Sequence, residues 1–236
     1  MSDPILLDEV SHTYSCGKRR LEAVGSLVKR VTPPFDADKV AERVARRDGR
    51  TTAAVKAEWA QKRDVACDKG HLVHAGVKHA LCAVMAGKPE AVKANGSAPR
   101  EFHHWLDWWA GAGQFLKPIA VECVVGDVEL GFAGTFDTLF ESSKTNQYHA
   151  FDWKSNNRFD TERPYGDRML PPFEDLPSCH HVHYSLQVEL YALALEREGR
   201  KVGPGWLVHL SEAGAKPYKA LDLRRRAEEW VRSLKL

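Results

Sequence analysis

The chain has 236 residues and a mass of 26.5 kDa, enough for one substantial core and short for two full domains. Hydrophobic residues at 43% and charged residues at 28% exclude a disordered or fibrous chain, and no apolar run approaches the ~18 residues that cross a bilayer. The net charge of +2 does not announce nucleic acid, and the 5 cysteines, never spaced as CxxC, argue against a disulfide framework, a thiolate zinc ribbon or an iron–sulfur cluster.

Met1-Ser2-Asp3-Pro4 carries no basic-then-apolar or Arg/Ser-rich leader, so the expected location is cytoplasmic. A short hairpin is expected around Ser15-Cys16-Gly17. Pro33-Pro34 breaks the chain, and Asp36 caps a helix with Val40, Ala41, Val44 and Ala45 on one stripe. Thr51-Thr52 caps a second helix through Val55 and Trp59. A third is expected to begin at Gly70 and reach Met85, with Val73, Val77, Ala80 and Val84 as its apolar face. A fourth, after Pro99, carries Trp105, Trp108 and Trp109 at helical spacing, a core stripe before it is a base-stacking platform. Basic residues concentrate in this first third, at Lys18-Arg19-Arg20, Arg43, Arg46, Arg47, Arg50 and Lys62-Arg63, and again at Arg224-Arg225-Arg226. Each cluster reads first as a solvated face and second as a track for phosphates.

The character changes at Pro118. Val121 to Val125 and Val128 to Phe132 read as a hairpin around a Gly126-Asp127 turn. The meander continues to Phe140, and Tyr148 to Lys154 forms the next strand. A long polar stretch follows from Ser155 to Cys179, then a helix from about His183 to Glu198. Strands at Trp206 to Leu210 and near Tyr218 to Leu223 precede a terminal helix. The fold class is α/β (α+β), a mixed central sheet flanked by helices. One domain spans residues 1–236, with 1–117 mainly helical and 118–236 holding the sheet and the carboxy-terminal helices.

The most informative pair is Gly134-Thr135-Phe136-Asp137 with Asp152-Trp153-Lys154. Asp137 interrupts an otherwise apolar strand. Asp152 and Lys154, two apart, leave one face of their strand while Trp153 leaves the other. Two carboxylates on adjacent strands repel, and one takes up a proton unless a cation sits between them. A lysine on the same face is placed to orient an attacking water or to stabilise charge developing on a phosphate. An Asp-x-Lys triplet alone equally describes a surface salt bridge. His74 lies beside the Val73/Val77 stripe at the core edge, where a histidine is either a packed boundary residue or a metal ligand. Gln187 and Tyr191, one turn apart, share a helix face and bring an amide and a phenol together.

In this order, His, Gly-x-x-Asp, Asp-x-Lys and Gln-x-x-x-Tyr resemble the PD-(D/E)XK nuclease superfamily in its RecB-like exonuclease branch. Gly25-Ser26-Leu27-Val28 to Thr32-Pro33-Pro34-Phe35-Asp36 is similar to the entry segment of phage-encoded members. So are Trp59 ahead of Gly70-x-x-x-His74, and Tyr184-Ser185-Leu186-Gln187 with Leu190-Tyr191. Mitochondrial single-strand exonucleases have similar segments. The likeness covers residues 10–212. It implies a restriction-endonuclease-like core, with His74, Asp137, Asp152 and the backbone carbonyl of Trp153 as ligands of Mg²⁺ or Mn²⁺. It makes Asp137, Asp152 and Lys154 the catalytic set and Gln187 and Tyr191 the pair supporting the substrate backbone. Glu122 falls where relatives often carry a glutamate, and either supports the metal ligands from behind or is simply a charged strand position. Two positions depart from the pattern: His71 replaces a small hydroxyl residue, and Lys78 replaces a glutamate four residues after the histidine.

The implied function is a metal-dependent deoxyribonuclease, foremost an exonuclease acting on single strands or DNA ends in phage-type replication, recombination or repair. A structure-selective endonuclease on the same site and a catalytically silent DNA-binding subunit are the alternatives. DNA is the expected partner, with a homo-oligomer or recombination partner left open. Cys179-His180-His181-Val182-His183 contains zinc-ligand chemistry but has no second cluster, and reads as a polar loop feeding the next helix. No nucleophile elbow and no phosphate-binding glycine loop are present.

Overall fold

Helix caps and strand alternation build the elements in chain order. The computed structural model describes residues 3–93, 97–162 and 166–236; residues 1–2 of the amino-terminal expectation and 163–165 of the long polar stretch lie outside the described residues, as do 94–96. Strands β1 (Ile5–Asp8), β2 (Thr13–Cys16) and β3 (Arg19–Ala23) lead into helices α1 (Val24–Arg30), α2 (Ala37–Asp48), α3 (Thr52–Met85) and α4 (Arg100–Ala112). Strands β4 (Leu116–Asp127), β5 (Phe132–Ser142) and β6 (Gln147–Lys154) follow, then α5 (His180–Arg197), β7 (Trp206–Ser211), β8 (Gly214–Lys219) and α6 (Arg224–Leu234). Asp36 Oδ1 accepts from the Lys39 N–H at 3.0 Å and Thr51 Oγ1 from the Ala54 N–H at 3.2 Å, so both caps form where the sequence places them.

The strands form one mixed sheet in the order β1-β2-β3-β5-β6-β7-β8, with β4 also on β5. This is the α/β architecture expected of the sequence. Strand β4 pairs along one edge of β5, from Leu116 opposite Ser142 to Asp127 opposite Phe132. The other edge is divided. Strand β3 pairs in parallel with Phe132 and Ala133, and β6 pairs antiparallel from Thr138 to Ser142. Among the described residues, nothing is laddered to residues 134–137 on that edge, so the sheet opens beside Asp137.

Helices cover both faces. On one, α1, α5 and α6 bury Leu27, Leu186, Leu190 and Trp230 against Phe132, Phe136 and Leu139. On the other, Val73, Val77 and Leu81 of α3 and Phe102 and Trp105 of α4 pack on Phe140, Phe151, Trp153 and Val208. Trp105 is fully buried and stacks on Trp109 at 5.7 Å, so the tryptophan stripe is core.

Three local expectations are corrected. The second and third helices are one 34-residue helix, α3, whose first half packs Val55 and Trp59 on α2 and whose second half packs on the sheet. Gly70 does not break it, because a glycine inside a well-packed helix costs only about 1 kcal/mol. Gly126-Asp127 lies within β4 rather than in the turn. The turn is residues 128–131, closed by Asp127 Oδ1 accepting from the Leu130 N–H at 2.7 Å and by Gly131 at φ +79°. The last strand is Gly214–Lys219 rather than 218–223; it lies at the sheet edge, where Pro217 costs no ladder bond.

The Cys179–His183 cluster is the start of α5 rather than a loop. Its histidines have separate partners: His180 Nδ1 accepts from the Asp160 N–H, His181 Nε2–H donates to the Lys219 carbonyl, and His183 Nε2 lies 3.0 Å from Ser178 Oγ. Burial pushes the His183 pKa down to about 4. Its folded value lies below the unfolded value of about 6.5, so the ring costs nothing above pH 6.5, and the unfolded state gains a proton first as pH falls. Stability is expected to drop on the order of 1–2 kcal/mol between pH 6.5 and 4 from this half-buried group. His183→Gln should flatten the dependence of melting temperature on pH over that window. Equal slopes for the two proteins would contradict it.

Candidate active site

The site grows from Trp153. Its ring packs edge-on to Trp105 at 6.0 Å and Trp108 at 5.5 Å, and its Nε1–H donates to Thr138 Oγ1 at 3.2 Å. Strand alternation therefore turns Asp152 and Lys154 to the opposite, α5 face. The N–H and C=O of one strand residue point to the same side, and here that side is the opening beyond the last β5–β6 pair, Thr138 opposite Phe151. Side chains take the place of the missing strand partner. Asp137 Oδ2 accepts from the Trp153 N–H at 2.7 Å, and His74 Nε2–H donates to the Trp153 carbonyl at 3.0 Å. His74 Nδ1 lies 3.5 Å from Asp137 Oδ1. Helix α3 runs close to the segment after β6: a Cβ at Gly70 would stand 3.2 Å from Ser155 Oγ, just past Lys154.

The electrostatics follow from burial and crowding. Burial raises the Asp152 pKa to about 6, with Asp137 adding to it, although Lys154 Nζ stands 2.6 Å from Asp152 Oδ2. That contact is an ion pair on a buried oxygen. Burial also pushes Asp137 up, but the hydrogen bond and charge of His74, Lys154 and the Trp153 N–H hold it below the usual carboxylate range. Burial lowers Lys154, and Asp152 and Asp137 more than offset it, so the amine stays charged. His74 is raised in the same way, its burial outweighed by Asp137 and Asp152. The two carboxylates behave as crowded acids do: one holds its charge and the other is driven toward its proton.

Gln187 and Tyr191 come in from α5. Gln187 Nε2 donates to Tyr191 Oη at 3.0 Å, and the Tyr191 ring is buried under the sheet against Gly134. A Cβ at Gly134 would stand 2.6 Å from Tyr191 Cε1, which is the physical reason for a glycine three residues before Asp137. Glu122 is exposed, pairs with Lys78 of α3, and takes φ +46°, a left-handed conformation that costs a non-glycine residue about 1–2 kcal/mol. It lies between Val121 opposite Thr138 and Cys123 opposite Phe136, alongside Asp137. Glu122, Lys78, His74, His71 and Gly70 line a groove of about 420 Å³ leading to the imidazole. Sequence reasoning quoted Tyr184 in the resembling segment but gave it no role; it lies one turn before Gln187 on the same stripe of α5, and its ring lies 4.3 Å from Lys154 Nζ.

Among the described residues, no three His, Cys, Asp or Glu side chains are gathered as a ready cage for a metal ion. His74, Asp137 and Asp152 are instead engaged with one another, with Trp153 and with Lys154. Their chemistry nonetheless fits a small divalent cation. Carboxylate and carbonyl oxygens with one imidazole suit Mg²⁺ or Mn²⁺, and the buried Asp152 Oδ2 already sits against a positive charge, the Lys154 ammonium at 2.6 Å.

No protein-family model matches the chain, and no curated protein matches it. Among solved structures, the chain is similar to the crystal structure of SSO0001 at 16% sequence identity, over 70% of this chain and 74% of that one, with a TM-score of 0.28.

Proposed function

We propose that this chain is a metal-dependent deoxyribonuclease of the PD-(D/E)XK type, acting as an exonuclease on single strands or DNA ends. One observation carries the reading: His74 from α3, Asp137 from β5, and Asp152 with Lys154 from β6 converge on a single opening in the sheet. His74, Asp137, Asp152 and the Trp153 carbonyl would hold Mg²⁺ or Mn²⁺. Such an ion supplies Lewis-acid polarisation of a phosphodiester and makes water more acidic.

The chain's own residues do the rest. Lys154 is charged, so it serves as an electrostatic donor to a phosphate oxygen and not as a base. To reach that oxygen, Nζ exchanges its contact with Asp152 Oδ2 for the phosphate. Asp137 and His74 hold the Trp153 backbone at the opening, and the Gln187–Tyr191 bond keeps α5 beneath Gly134.

Lys154→Ala is expected to cut turnover by at least ~10²-fold while DNA binding weakens far less, since one cation is a small share of the phosphate contacts. Single-turnover cleavage beside a binding titration reads both quantities. A variant that binds poorly and cleaves normally would make Lys154 a backbone contact only.

The function itself is tested with 5′- and 3′-labelled single strands, linear and circular, incubated with Mg²⁺, Mn²⁺ or EDTA. Stepwise shortening of the linear strand with the circle left intact is the expected result. Cutting of the circle would indicate an endonuclease. Retention without cleavage under every metal would leave a silent DNA-binding protein and overturn the proposal.

A further inference from the structure

The amine of Lys154 is held from two sides, and only one of them belongs to the motif. Asp152 Oδ2 stands 2.6 Å from Nζ on one side, and on the other Nζ lies 4.3 Å from the centre of the Tyr184 ring. The lysine side chain is only 18% exposed, so between carboxylate and ring it has little room. A flexible four-carbon stem needs such confinement if its charge is to sit at one point. In the nuclease reading the carboxylate has a second duty as a ligand of the cation, which competes with the ammonium for it. An aromatic face has no competing duty and attracts an ammonium by its quadrupole.

The ring is itself fixed. His180 stacks on Tyr184 with centroids 5.7 Å apart and planes at 21°, and Phe159 packs on it at 6.0 Å. His180 Nδ1 accepts from the Asp160 N–H at 3.2 Å, which ties the ring to the segment after β6. Phe159 is wedged on Tyr218 at 4.3 Å and beside His209 at 5.5 Å, and His209 Nε2–H donates to the Asn156 carbonyl at 2.6 Å. The chain that leaves Lys154 thus turns back to hold the ring that holds Lys154.

We infer that Tyr184 is a positioning residue for Lys154, its ring clamping the ammonium at the opening between β5 and β6 while Asp152 is engaged elsewhere. The catalytic side of this inference rests on the nuclease reading of the site; the clamp itself does not.

Two measurements test it. The first needs neither metal nor DNA: ¹H–¹³C spectra of the lysine εCH₂ groups in the whole protein, with Lys154→Ala identifying the signal. In the wild type that signal is expected upfield of the other lysines, shielded by the ring. Tyr184→Phe keeps the displacement and Tyr184→Leu removes it. The second is steady-state cleavage of a labelled oligonucleotide in Mn²⁺. Tyr184→Leu is expected to lower kcat about tenfold with KM within about twofold, and Tyr184→Phe to recover most of the loss. A residue that merely packs would change melting temperature without this split. If Tyr184→Leu melts below the assay temperature, Tyr184→Met, unbranched at Cβ and adaptable in shape, takes its place. An unshifted Lys154 signal in the wild type, or a loss of kcat that Tyr184→Phe does not restore, would overturn the clamp. No cleavage by the wild type in any metal would overturn the nuclease reading, and the spectra would still decide the clamp.

Discussion

Asp137→Asn and Asp152→Asn are each expected to reduce metal-dependent cleavage on the order of 10³-fold, while the fold survives. Each amide keeps the shape of the carboxylate and removes the charge that a cation needs. The Trp153 N–H can still donate to the amide oxygen at position 137, which preserves the opening. For Asp152 the stability consequence has a definite sign. Its folded pKa of about 6 lies above the unfolded value, so the stability it contributes is present at low pH and lost as pH rises through about 6. At pH 7 the ionised carboxylate costs the fold something that the amide does not. Asp152→Asn should therefore melt no lower than the wild type at neutral pH, with Asp137 still beside Lys154. A wild-type rate in either variant at saturating Mg²⁺ would make the assignment of the site wrong.

The largest effect on stability is expected away from the site, at Glu189. This residue is 2% exposed; Oε1 accepts from the Gly205 N–H at 3.2 Å and Oε2 pairs with Arg224 Nε at 2.9 Å. Arg224 goes on to the carbonyls of Val202 at 3.3 Å and Gly203 at 2.8 Å, so one buried pair joins α5, the lead into β7 and the start of α6. Glu189→Ala leaves the Gly205 N–H unpaired and takes the buried carboxylate from the guanidinium, which keeps the two carbonyls and the exposed Glu196 at 3.5 Å, at a cost of about 3 kcal/mol. For a chain of this size that lowers the melting temperature by roughly 10 °C. Glu189→Gln keeps the Gly205 bond and should fall in between. A melting curve for Glu189→Ala within about 2 °C of the wild type would show the pair to be dispensable.

What was legible in the sequence was whatever depends on near neighbours. Asp36 and Thr51 are caps because a cap satisfies N–H groups within one turn. The opposite faces of Trp153 and the Asp152/Lys154 pair follow from strand alternation, and the buried aromatic cluster fixes which face is which. Continuity of α3 was not legible, because its apolar stripe changes partner from α2 to the sheet and the change looks like an ending. The turn at 128–131 was hidden by Gly126, a glycine that serves close packing: a Cβ there would stand 2.6 Å from the Phe132 carbonyl oxygen. The Glu189–Arg224 pair and the Tyr184 ring over Lys154 depend on tertiary approach across 35 and 30 residues, and no periodicity encodes that. At the site itself, the residue types and spacing were readable. The gap in the β5 edge that brings them together was not, since it arises from β3 and β6 sharing that edge.

If His74, Asp137 and Asp152 act as one cation centre, all three are felt in Mn²⁺ binding to the protein without DNA. Free Mn²⁺ is followed by electron paramagnetic resonance for the wild type, His74→Ala and Asp137→Asn, with a melting curve for each. A single site is expected in the wild type, with a binding midpoint at least ~10-fold weaker in both variants and folded proteins throughout. An unaltered midpoint in His74→Ala, accompanied only by a lower melting temperature, would make the histidine a packed boundary residue and leave no three-residue cation centre.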